Sequence, residues 1–322
     1  MKQNYDKNII EWLFHTYFPE KEIVQYSLCD GGIENSNFLI ETKGARYILK
    51  IFEGLKNTSE EISAEVNILI HLKQLKSNVP EIFVSQKGET IIVGPGDKKV
   101  ILMEYIDGMK YRDKPLDDDV LFLLWRDIAI LNQNLAKISS EYAIPETHVY
   151  DLKYIFRHPE LRTYQPDYAD PSLLSEVWTG IDEIRSTFEE LPTQLIHNDL
   201  HSNNIIFKDE EIYFIDFSDF LLGSVAQEIA ISLFSWCFHH FWHPEGVTEY
   251  LRWYESVRKL TTEEKECLFG CIECRMLNIV LAPYIPESGL DIENYGEWIM
   301  RYYAALERFH EFWKENFMKL IL

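Results

Sequence analysis

Three polar side chains near residue 200 have the types and the spacing of a phosphoryl-transfer site. Asp199 follows a short apolar run, Asn204 comes five residues later, and Asp216 ends the next predicted strand. A phosphoryl group in transfer carries negative charge on its oxygens, and its catalysis is mostly positioning and charge stabilisation. Amide and carboxylate oxygens suit Mg²⁺, which also binds substrate phosphates. We therefore predict that Asp199 orients an attacking hydroxyl and that Asn204 and Asp216 hold the metal ion.

The elements predicted around these residues place all three at strand ends. Residues 193–197 and 205–207 are short apolar runs, residues 209–211 form a turn, and residues 212–215 return as a strand. Asp, Asn and Ser also occur in turns with a purely structural role, because their side chains hydrogen bond locally. Three such positions at this spacing favour the catalytic interpretation.

A lysine and a glutamate are predicted on apolar faces of consecutive elements. In residues 46–52, strand alternation puts Lys50 on the same face as Ile48 and Phe52. The helix that follows carries Glu65 on its apolar stripe. A buried ammonium needs a partner, so we expect Lys50 and Glu65 to form an ion pair. The alternative is a lysine that snorkels to solvent and a partly exposed glutamate.

Two further segments could bind a nucleotide. Gly31 and Gly32 lie between two predicted strands, where glycine lets backbone N–H groups approach phosphate closely. Two glycines between strands also make an ordinary hairpin. Residues 100–106 form an apolar strand that ends at a predicted interlobe hinge. Backbone groups from Glu104 to Ile106 would then bind adenine.

Periodicity and turn signals predict three other elements. Residues 82–93 are typical of a hairpin, and residues 117–138 and 226–241 are typical of helices. Glu228 lies near the start of the last helix. It either braces the loop that carries Asp199 or interacts favourably with the helix dipole.

Composition limits the class of protein. A chain of 322 residues suggests about two domains with a sizeable core. With 31 basic and 53 acidic residues the formal net charge is −22, which disfavours nucleic acid and anionic membranes as partners and favours a cationic or zwitterionic small substrate. Solubility alone would also explain this charge. Without an apolar signal core at the N-terminus, we expect a cytoplasmic protein in which Cys267, Cys271 and Cys274 are buried thiols.

Several residues of the C-terminal half are candidates for acceptor binding. Asp219 follows the predicted metal ligand and would favour an amine-bearing molecule. Trp236 belongs to a set of aromatic residues that could form a cation-binding wall, although such residues at helical spacing are usually core. The set is Trp236, Trp242, Trp253, Trp298 and Tyr302. His239, His240 and His243 could bind a metal, but packing explains them as well.

The motifs of the chain resemble those of one enzyme superfamily. They are Gly31-Gly32-x-x-Asn35-x-x-Phe38, Tyr47-Ile48-Leu49-Lys50, Leu102-Met103-Glu104-Tyr105-x-x-Gly108, His197-x-Asp199-x-x-x-x-Asn204, Ile215-Asp216-Phe217 and Glu228-Ile229-Ala230. Together they are similar to the aminoglycoside phosphotransferase and choline kinase superfamily over nearly the whole chain. Residues 32–38 and 51–53 are most similar to its homoserine kinases.

The resemblance implies a protein-kinase-like fold and the transfer of phosphate from ATP, with Mg²⁺, to a hydroxyl of a small molecule. It implies that Asp199 is the catalytic base, that Asn204 and Asp216 bind the metal, and that Lys50 and Asn35 belong to the nucleotide site. Asn198 stands where homoserine kinases carry an alanine, so the acceptor stays open. Without an Ala-Pro-Glu motif after Asp216, protein substrates are disfavoured.

We predict an α+β fold of two lobes. Residues 1–106 would form a nucleotide-binding N-lobe with an antiparallel sheet and a helix, and residues 107–322 a mainly helical C-lobe with the acceptor pocket. The expected acceptors are amine-bearing: homoserine, hydroxylysine, choline, ethanolamine, an amino sugar or an aminoglycoside. Two alternatives remain. One is a catalytically silent nucleotide-binding regulatory module, and the other is a metal-dependent hydrolase with His197, Asp199 and His201 as ligands.

Overall fold

The protein divides into two compact units. The computed structural model describes residues 5–29, 35–53, 58–111, 117–138, 149–239, 242–244, 246–313, 316 and 319. The first unit comprises Met1–Met109, Ile138–Ile144 and Ile206–Ser218, and the second comprises Lys110–Lys137, Pro145–Ile205 and Asp219–Leu322. The first segment of the first unit ends at Met109. The division into an N-lobe of residues 1–106 and a C-lobe of residues 107–322, and the functions of the two lobes, stay predictions.

An antiparallel sheet forms the centre of the first unit. Its strands are β1 (Ile23–Leu28), β2 (Asn35–Thr42), β3 (Arg46–Phe52), β4 (Ile92–Val93) and β5 (Lys99–Glu104). They lie in the order β1-β2-β3-β5-β4, so β3 is central. Tyr47 of β3 lies opposite Ile40 on one side and opposite Glu104 on the other.

Two capped helices pack in the clusters formed by the two faces of β3. Helix α1 (Lys7–Tyr17) begins where the Asp6 side chain accepts from the Ile9 N–H, and helix α2 (Ser59–Gln74) begins with a capping box of Thr58 and Glu61. Residues of α1 cluster with Tyr47, Leu49 and Ile51 of β3, whereas residues of α2 cluster with Phe52. Helix α1 contributes Ile10, Leu13, Phe14 and Tyr17 to its cluster, and α2 contributes Ile62 and Val66 to the other. Lys50 belongs to the α2 face, as strand alternation predicts.

The hairpin expected for residues 82–93 does not form. Ile82 pairs with Met103 in an isolated bridge, and Ile92 pairs with Val100. The two segments meet only at the turn, where the Ser85 N–H donates to the Glu89 carbonyl over 2.8 Å, and beyond it each hydrogen bonds to β5. The physical reason is that β5 offers an apolar strand edge, which periodicity along one segment cannot reveal.

A second hairpin joins the first unit from a distant part of the sequence. Its strands are β7 (Ile205–Lys208) and β8 (Glu211–Phe214), with most of it in the first unit. Met109 and Phe207 exchange two backbone hydrogen bonds of 2.8 Å. The Phe214 N–H donates to the Asn78 carbonyl over 2.9 Å. The hairpin therefore hydrogen bonds to Asn78 and to Met109, which lie near the two ends of residues 75–109.

The second unit is mainly helical, which together with the sheet of the first unit confirms the α+β class. Its described helices are α3 (Asp118–Leu135), α4 (Leu152–Arg157), α5 (Pro171–Glu190), α6 (Val225–Leu233), α7 (Gly246–Tyr254), α8 (Thr262–Leu281) and α9 (Ile292–Trp313). A short ribbon pairs β6 (Thr193–Ile196) with β9 (Leu221–Ser224). The helix expected over residues 226–241 changes to a π-helix, Phe234–His239, after α6.

Helix α8 is the central helix of the second unit and packs against α5, α6 and α9. The segment Thr262–Tyr284 has the length and hydropathy of a membrane span, but 83% of its most apolar window is buried in the protein. Such burial is typical of a core helix. Cys267, Cys271 and Cys274 on this helix are buried free thiols, as predicted.

Gly108 tests the junction between the second hairpin and the rest of the first unit. A Cβ at this position would lie 2.5 Å from both Ile206 Cγ2 and the Phe207 carbonyl oxygen. We expect Gly108→Ala to lower the free energy of unfolding by about 1–3 kcal/mol, because the backbone has to shift. Gly44→Ala is the matched control, since a Cβ there has no atom within 4 Å. Urea unfolding curves that shift equally for both variants would contradict this account.

Candidate active site

The loop that carries Asp199 leaves β6 through a strained backbone position. This segment, residues 197–201, is named the Asp199 loop here. Asn198 has a φ of +65°, in the left-handed region that few residues other than glycine adopt. Asparagine tolerates that region better than most residues. Both His197 and Asn198 are fully buried, so surrounding contacts hold the strained conformation in place.

The Glu228 carboxylate binds the backbone at the start of the Asp199 loop. Its two oxygens accept from the N–H groups of His197 over 2.9 Å and Asn198 over 2.8 Å. Next to it, Gln227 Nε2 donates to Asn198 Oδ1 over 2.6 Å. Burial raises the pKa of Glu228 to about 7, while the two N–H bonds act in the opposite direction. Of the two roles considered for Glu228, the structure supports bracing of the loop.

Two serines extend this brace along the same helix. Ser232 Oγ donates to the Leu200 carbonyl over 3.2 Å, and Ser235 Oγ accepts from the Ser202 N–H over 3.1 Å. Ser235 lies in the π-helix, a rare element that often occurs at functional sites. Glu228, Ser232 and Ser235 therefore hydrogen bond in sequence to the chain around Asp199.

The Asp199 carboxylate is held on both oxygens by donors from the second unit. Arg275 Nη2 donates to Oδ1 over 3.0 Å, and Asn204 Nδ2 donates to Oδ2 over 2.8 Å. His201 Nε2 lies 3.1 Å from Oδ2. Burial on its own raises the pKa of Asp199, but His201 and Arg275 together hold it below its usual value. The carboxylate is thus ionised at neutral pH and fixed in one orientation.

Hydrogen bonding also orients Asn204 and His201. The Asn204 amide nitrogen donates to Oδ2 of Asp199 and, over 3.0 Å, to its carbonyl oxygen, which leaves the amide oxygen of Asn204 directed elsewhere. His201 Nδ1 accepts from the Asn203 N–H over 3.1 Å, so its proton is assigned to Nε2, facing Asp199. An amide oxygen available for a hard cation is what the predicted metal role of Asn204 requires.

In the first unit, Lys50 forms the predicted ion pair with Glu65. The distance from Lys50 Nζ to Glu65 Oε1 is 2.6 Å, and the side chains are only 4% and 2% exposed. Asp216 Oδ1 lies 3.6 Å from the same ammonium. Asp216 has a φ of +63° and accepts from Ser218 Oγ over 2.7 Å. The side chain of Asp216 is 47% exposed, which leaves it accessible to a ligand.

The other residues predicted to bind the nucleotide differ in their burial and hydrogen bonding. Asn35 is buried at the start of β2, opposite Phe52, while Gly31 and Gly32 lie outside the described residues. The Glu104 N–H donates to the Glu81 carbonyl over 2.9 Å, so this donor cannot bind adenine. Within the described residues the N–H of Ile106 donates to no other backbone group.

The acceptor candidates Asp219 and Trp236 differ in exposure. Asp219 is partly exposed in the segment before β9. Trp236 is buried and packs edge-to-face on Trp125, with ring centroids 6.1 Å apart. This position is typical of the core and gives the predicted acceptor contact of Trp236 no support.

The five aromatic residues do not form one wall within the described part of the chain. Trp298 contacts Tyr302 with ring centroids 4.7 Å apart, and Tyr302 lies 4.7 Å from the ring of His239. Trp242 instead packs under Arg308, and Trp253 packs on Phe122. The described residues contain no cluster of three or more His, Cys, Asp or Glu side chains placed to hold a metal.

That arrangement bears on the hydrolase alternative. His197 Nδ1 accepts from the Asp199 N–H over 3.3 Å, and His201 is oriented by Asn203 and Asp199 as described. Both histidines therefore support the loop. Among the described residues, His197, Asp199 and His201 do not form a three-ligand metal site.

Three functional residues were missed by the sequence reasoning: Arg275, Ser232 and Ser235. Arg275 had a signal, because it is a charged residue within a long apolar helix and has to find a partner. The two serines had none, because a hydroxyl in a helix also bonds to its own helix or to solvent. Only the packing of α6 below the Asp199 loop identifies them.

The chain is similar to known proteins in sequence and in fold. The model of the "Phosphotransferase enzyme family" matches residues 25–265. A similar curated protein is the homoserine kinase of Beijerinckia indica subsp. indica, 26% identical over 246 residues, which cover 74% of this chain and 73% of that one.

Two solved structures share the fold at low identity. A microcompartment-associated aminopropanol kinase aligns with a TM-score of 0.74 and 18% identity, over 98% of this chain and 100% of its own. Amicoumacin kinase hAmiN, in complex with AMP-PNP, Ca²⁺ and Ami, aligns with a TM-score of 0.73 and 18% identity, over 95% and 97%. They confirm the predicted protein-kinase-like fold.

The pKa of Glu228 predicts a dependence of stability on pH. Its usual value of 4.5 is raised to about 7 in the folded protein. Between these values the folded state binds a proton that the unfolded state has lost, so the free energy of unfolding falls as pH rises, by about 3 kcal/mol in all. Glu228→Gln should lack this component. We would compare urea unfolding of both proteins at pH 5 and pH 8; parallel pH dependences would refute the prediction.

Because Lys50 and Glu65 form a buried ion pair, we expect the stability losses of the two single variants not to add in the double variant. Lys50→Met leaves the Glu65 carboxylate buried without its ammonium partner and should cost roughly 3–5 kcal/mol of stability. Adding Glu65→Leu should recover most of that loss, because no buried charge is then left. Thermal and urea unfolding give the coupling. Lys43→Met, which breaks the exposed pair with Glu22, serves as control and should change stability little. Additive losses at positions 50 and 65 would argue against the pair.

Proposed function

Because this chain belongs to the phosphotransferase enzyme family, we propose that it is a small-molecule kinase that transfers the γ-phosphoryl group of ATP, with Mg²⁺, to an alcohol. The observation that carries this proposal is the Asp199 carboxylate, ionised and held by Arg275, Asn204 and His201 on a loop braced from below. A base preorganised in this way fits phosphoryl transfer, where positioning dominates.

The proposed reaction begins with the acceptor hydroxyl at Asp199. The hydroxyl oxygen attacks the γ-phosphorus, and its proton passes to the Asp199 carboxylate. The bond between the γ-phosphorus and the β–γ bridging oxygen breaks, and ADP leaves with that electron pair. Asp199 then returns the proton to solvent. Arg275 and Asn204 keep the carboxylate in position throughout.

The donor set fits Mg²⁺. Asn204 has an amide oxygen not engaged by Asp199, and Asp216 has a half-exposed carboxylate. We assign these two side chains as the protein ligands. When bound, the ion neutralises charge on the phosphates as they are transferred.

The first unit supplies the proposed nucleotide contacts. Lys50, held by Glu65, would bind a phosphate, since a buried ammonium with a fixed partner is already positioned. Asn35 and the loop of Gly31 and Gly32 are assigned to the same phosphates. For adenine, Ile106 supplies the N–H in this proposal and Glu104 contributes its carbonyl.

The acceptor is proposed to be a small amine-bearing alcohol. The homoserine kinase and aminopropanol kinase to which the chain is similar act, by their names, on such molecules. The net charge of −22 attracts a cationic group. Asp219 remains the proposed partner of the amine, whereas the contact of Trp236 with the acceptor stays a prediction. A cytoplasmic location belongs to the same proposal.

The assignment of Asp199 predicts the outcome of one acceptor screen. ATP and Mg²⁺ are supplied with homoserine, 3-aminopropanol, ethanolamine, choline, hydroxylysine, amino sugars and aminoglycosides, and both ADP and the phosphorylated product are measured. Asp199→Asn should lower turnover on any accepted alcohol by about 10²–10⁴-fold while leaving the fold intact.

Asp209→Asn is the matched control. Asp209 is exposed in the β7–β8 turn with a φ of +55°, a conformation that asparagine accepts. It should retain wild-type turnover. Full activity in Asp199→Asn would contradict the assignment of Asp199 as the catalytic base. Nucleotide binding without transfer to any acceptor would favour the regulatory module instead.

A further inference from the structure

Arg275 is a charged side chain in an apolar environment. It lies on α8 among fully buried residues, and only 7% of it is exposed. Burying a guanidinium is costly unless hydrogen bonds and an opposite charge compensate. The cost of burying Arg275 therefore depends on how many of its N–H groups donate a hydrogen bond.

One arm of the guanidinium is satisfied and another is not. Nη2 donates to Asp199 Oδ1 over 3.0 Å. Nη1 is buried and has no hydrogen-bond acceptor among the described residues. The Tyr150 ring lies 5.4 Å from the guanidinium carbon and supports it from one side. Arginine and carboxylate commonly pair through two parallel hydrogen bonds, but Arg275 donates to Asp199 through Nη2 alone.

The unsatisfied arm lies next to the proposed base. Nη1 and Nη2 are bonded to the same carbon atom of Arg275. An anion that binds Nη1 would therefore lie next to a hydroxyl that binds Asp199. Nη1 is covered by protein atoms, so an anion reaches it only after a neighbouring side chain moves.

We propose that Arg275 binds the carboxylate of the acceptor, which makes the preferred substrate a short hydroxy amino acid rather than an amino alcohol. The proposal rests on the proposed kinase function and specifies its substrate class. In a chain with a net charge of −22, an acceptor carboxylate is repelled unless a local cation binds it. The planar guanidinium matches a carboxylate in shape and charge.

The test is a ratio measured within each protein. We compare kcat/KM for homoserine with that for 3-aminopropanol, which is the same molecule without the carboxylate. Wild type should prefer homoserine by about 10–100-fold, the range for a hydrogen bond to a charged group. Arg275→Met should bring the ratio close to one, and Arg275→Lys should keep part of it, since lysine retains the charge but not the planar geometry.

The ratio separates substrate binding from damage to the base. If Arg275→Met slows both acceptors because Asp199 is no longer held, that loss cancels in the ratio. Arg162→Met is the matched control, because Arg162 pairs with Asp182 at the surface, and it should keep the wild-type ratio. Should Arg275→Met fail to fold, Arg275→Lys decides, and its ratio must fall several-fold.

A binding measurement completes the test. The unreactive analogue 2-aminobutyrate, which lacks the hydroxyl, should raise the thermal stability of wild type, raise that of Arg275→Lys by less, and leave that of Arg275→Met unchanged. An equal ratio in wild type and the Arg275 variants would overturn the inference, as would a wild type that prefers 3-aminopropanol. A uniform slowing of both acceptors with an unchanged ratio would place Arg275 at the phosphoryl group or at Asp199 alone. If no alcohol is phosphorylated and 2-aminobutyrate does not bind, the kinase proposal and the inference fail together; transfer to both acceptors at similar rates refutes only the inference.

Discussion

The buried carboxylate of Glu228 is the interaction on which the site in the second unit depends. It accepts the N–H groups of His197 and Asn198, which a strained turn would otherwise leave without partners. The cost of burying this group shows in its raised pKa. In return the Asp199 loop has one conformation, and Ser232 of α6 and Ser235 of the π-helix extend that constraint along the chain.

Asp199 illustrates how a charged group is prepared for chemistry by its neighbours. Arg275 and His201 keep it ionised, and Asn204 fixes its orientation. The same Asn204 contact sets which end of the amide is available to a cation. Orientation of the proposed base and of the proposed metal ligand thus depends on one hydrogen bond, so the two proposed functions cannot vary independently.

The first unit follows the same principle with a different pair. Lys50 and Glu65 are both buried on the α2 face of β3, while the opposite face of that strand is apolar. Strand alternation and the helix stripe were enough to predict this pair, because both periodicities are local. The same local reasoning failed for residues 82–93, because the partner of each segment is β5 and lies elsewhere in the chain.

Residue types, their spacing and the faces they occupy follow from the amino-acid sequence alone. That was sufficient for the α+β class, for the pairing of Lys50 with Glu65, and for the grouping of Asp199 with Asn204. Tertiary structure decided what lies beside those residues: Glu228 and Ser235 below the Asp199 loop, and Arg275 next to Asp199 from a helix 76 positions later in the sequence. The physical reason is that spacing along a chain fixes neighbours within one element, whereas the partner of a buried charge is set by how separate elements pack.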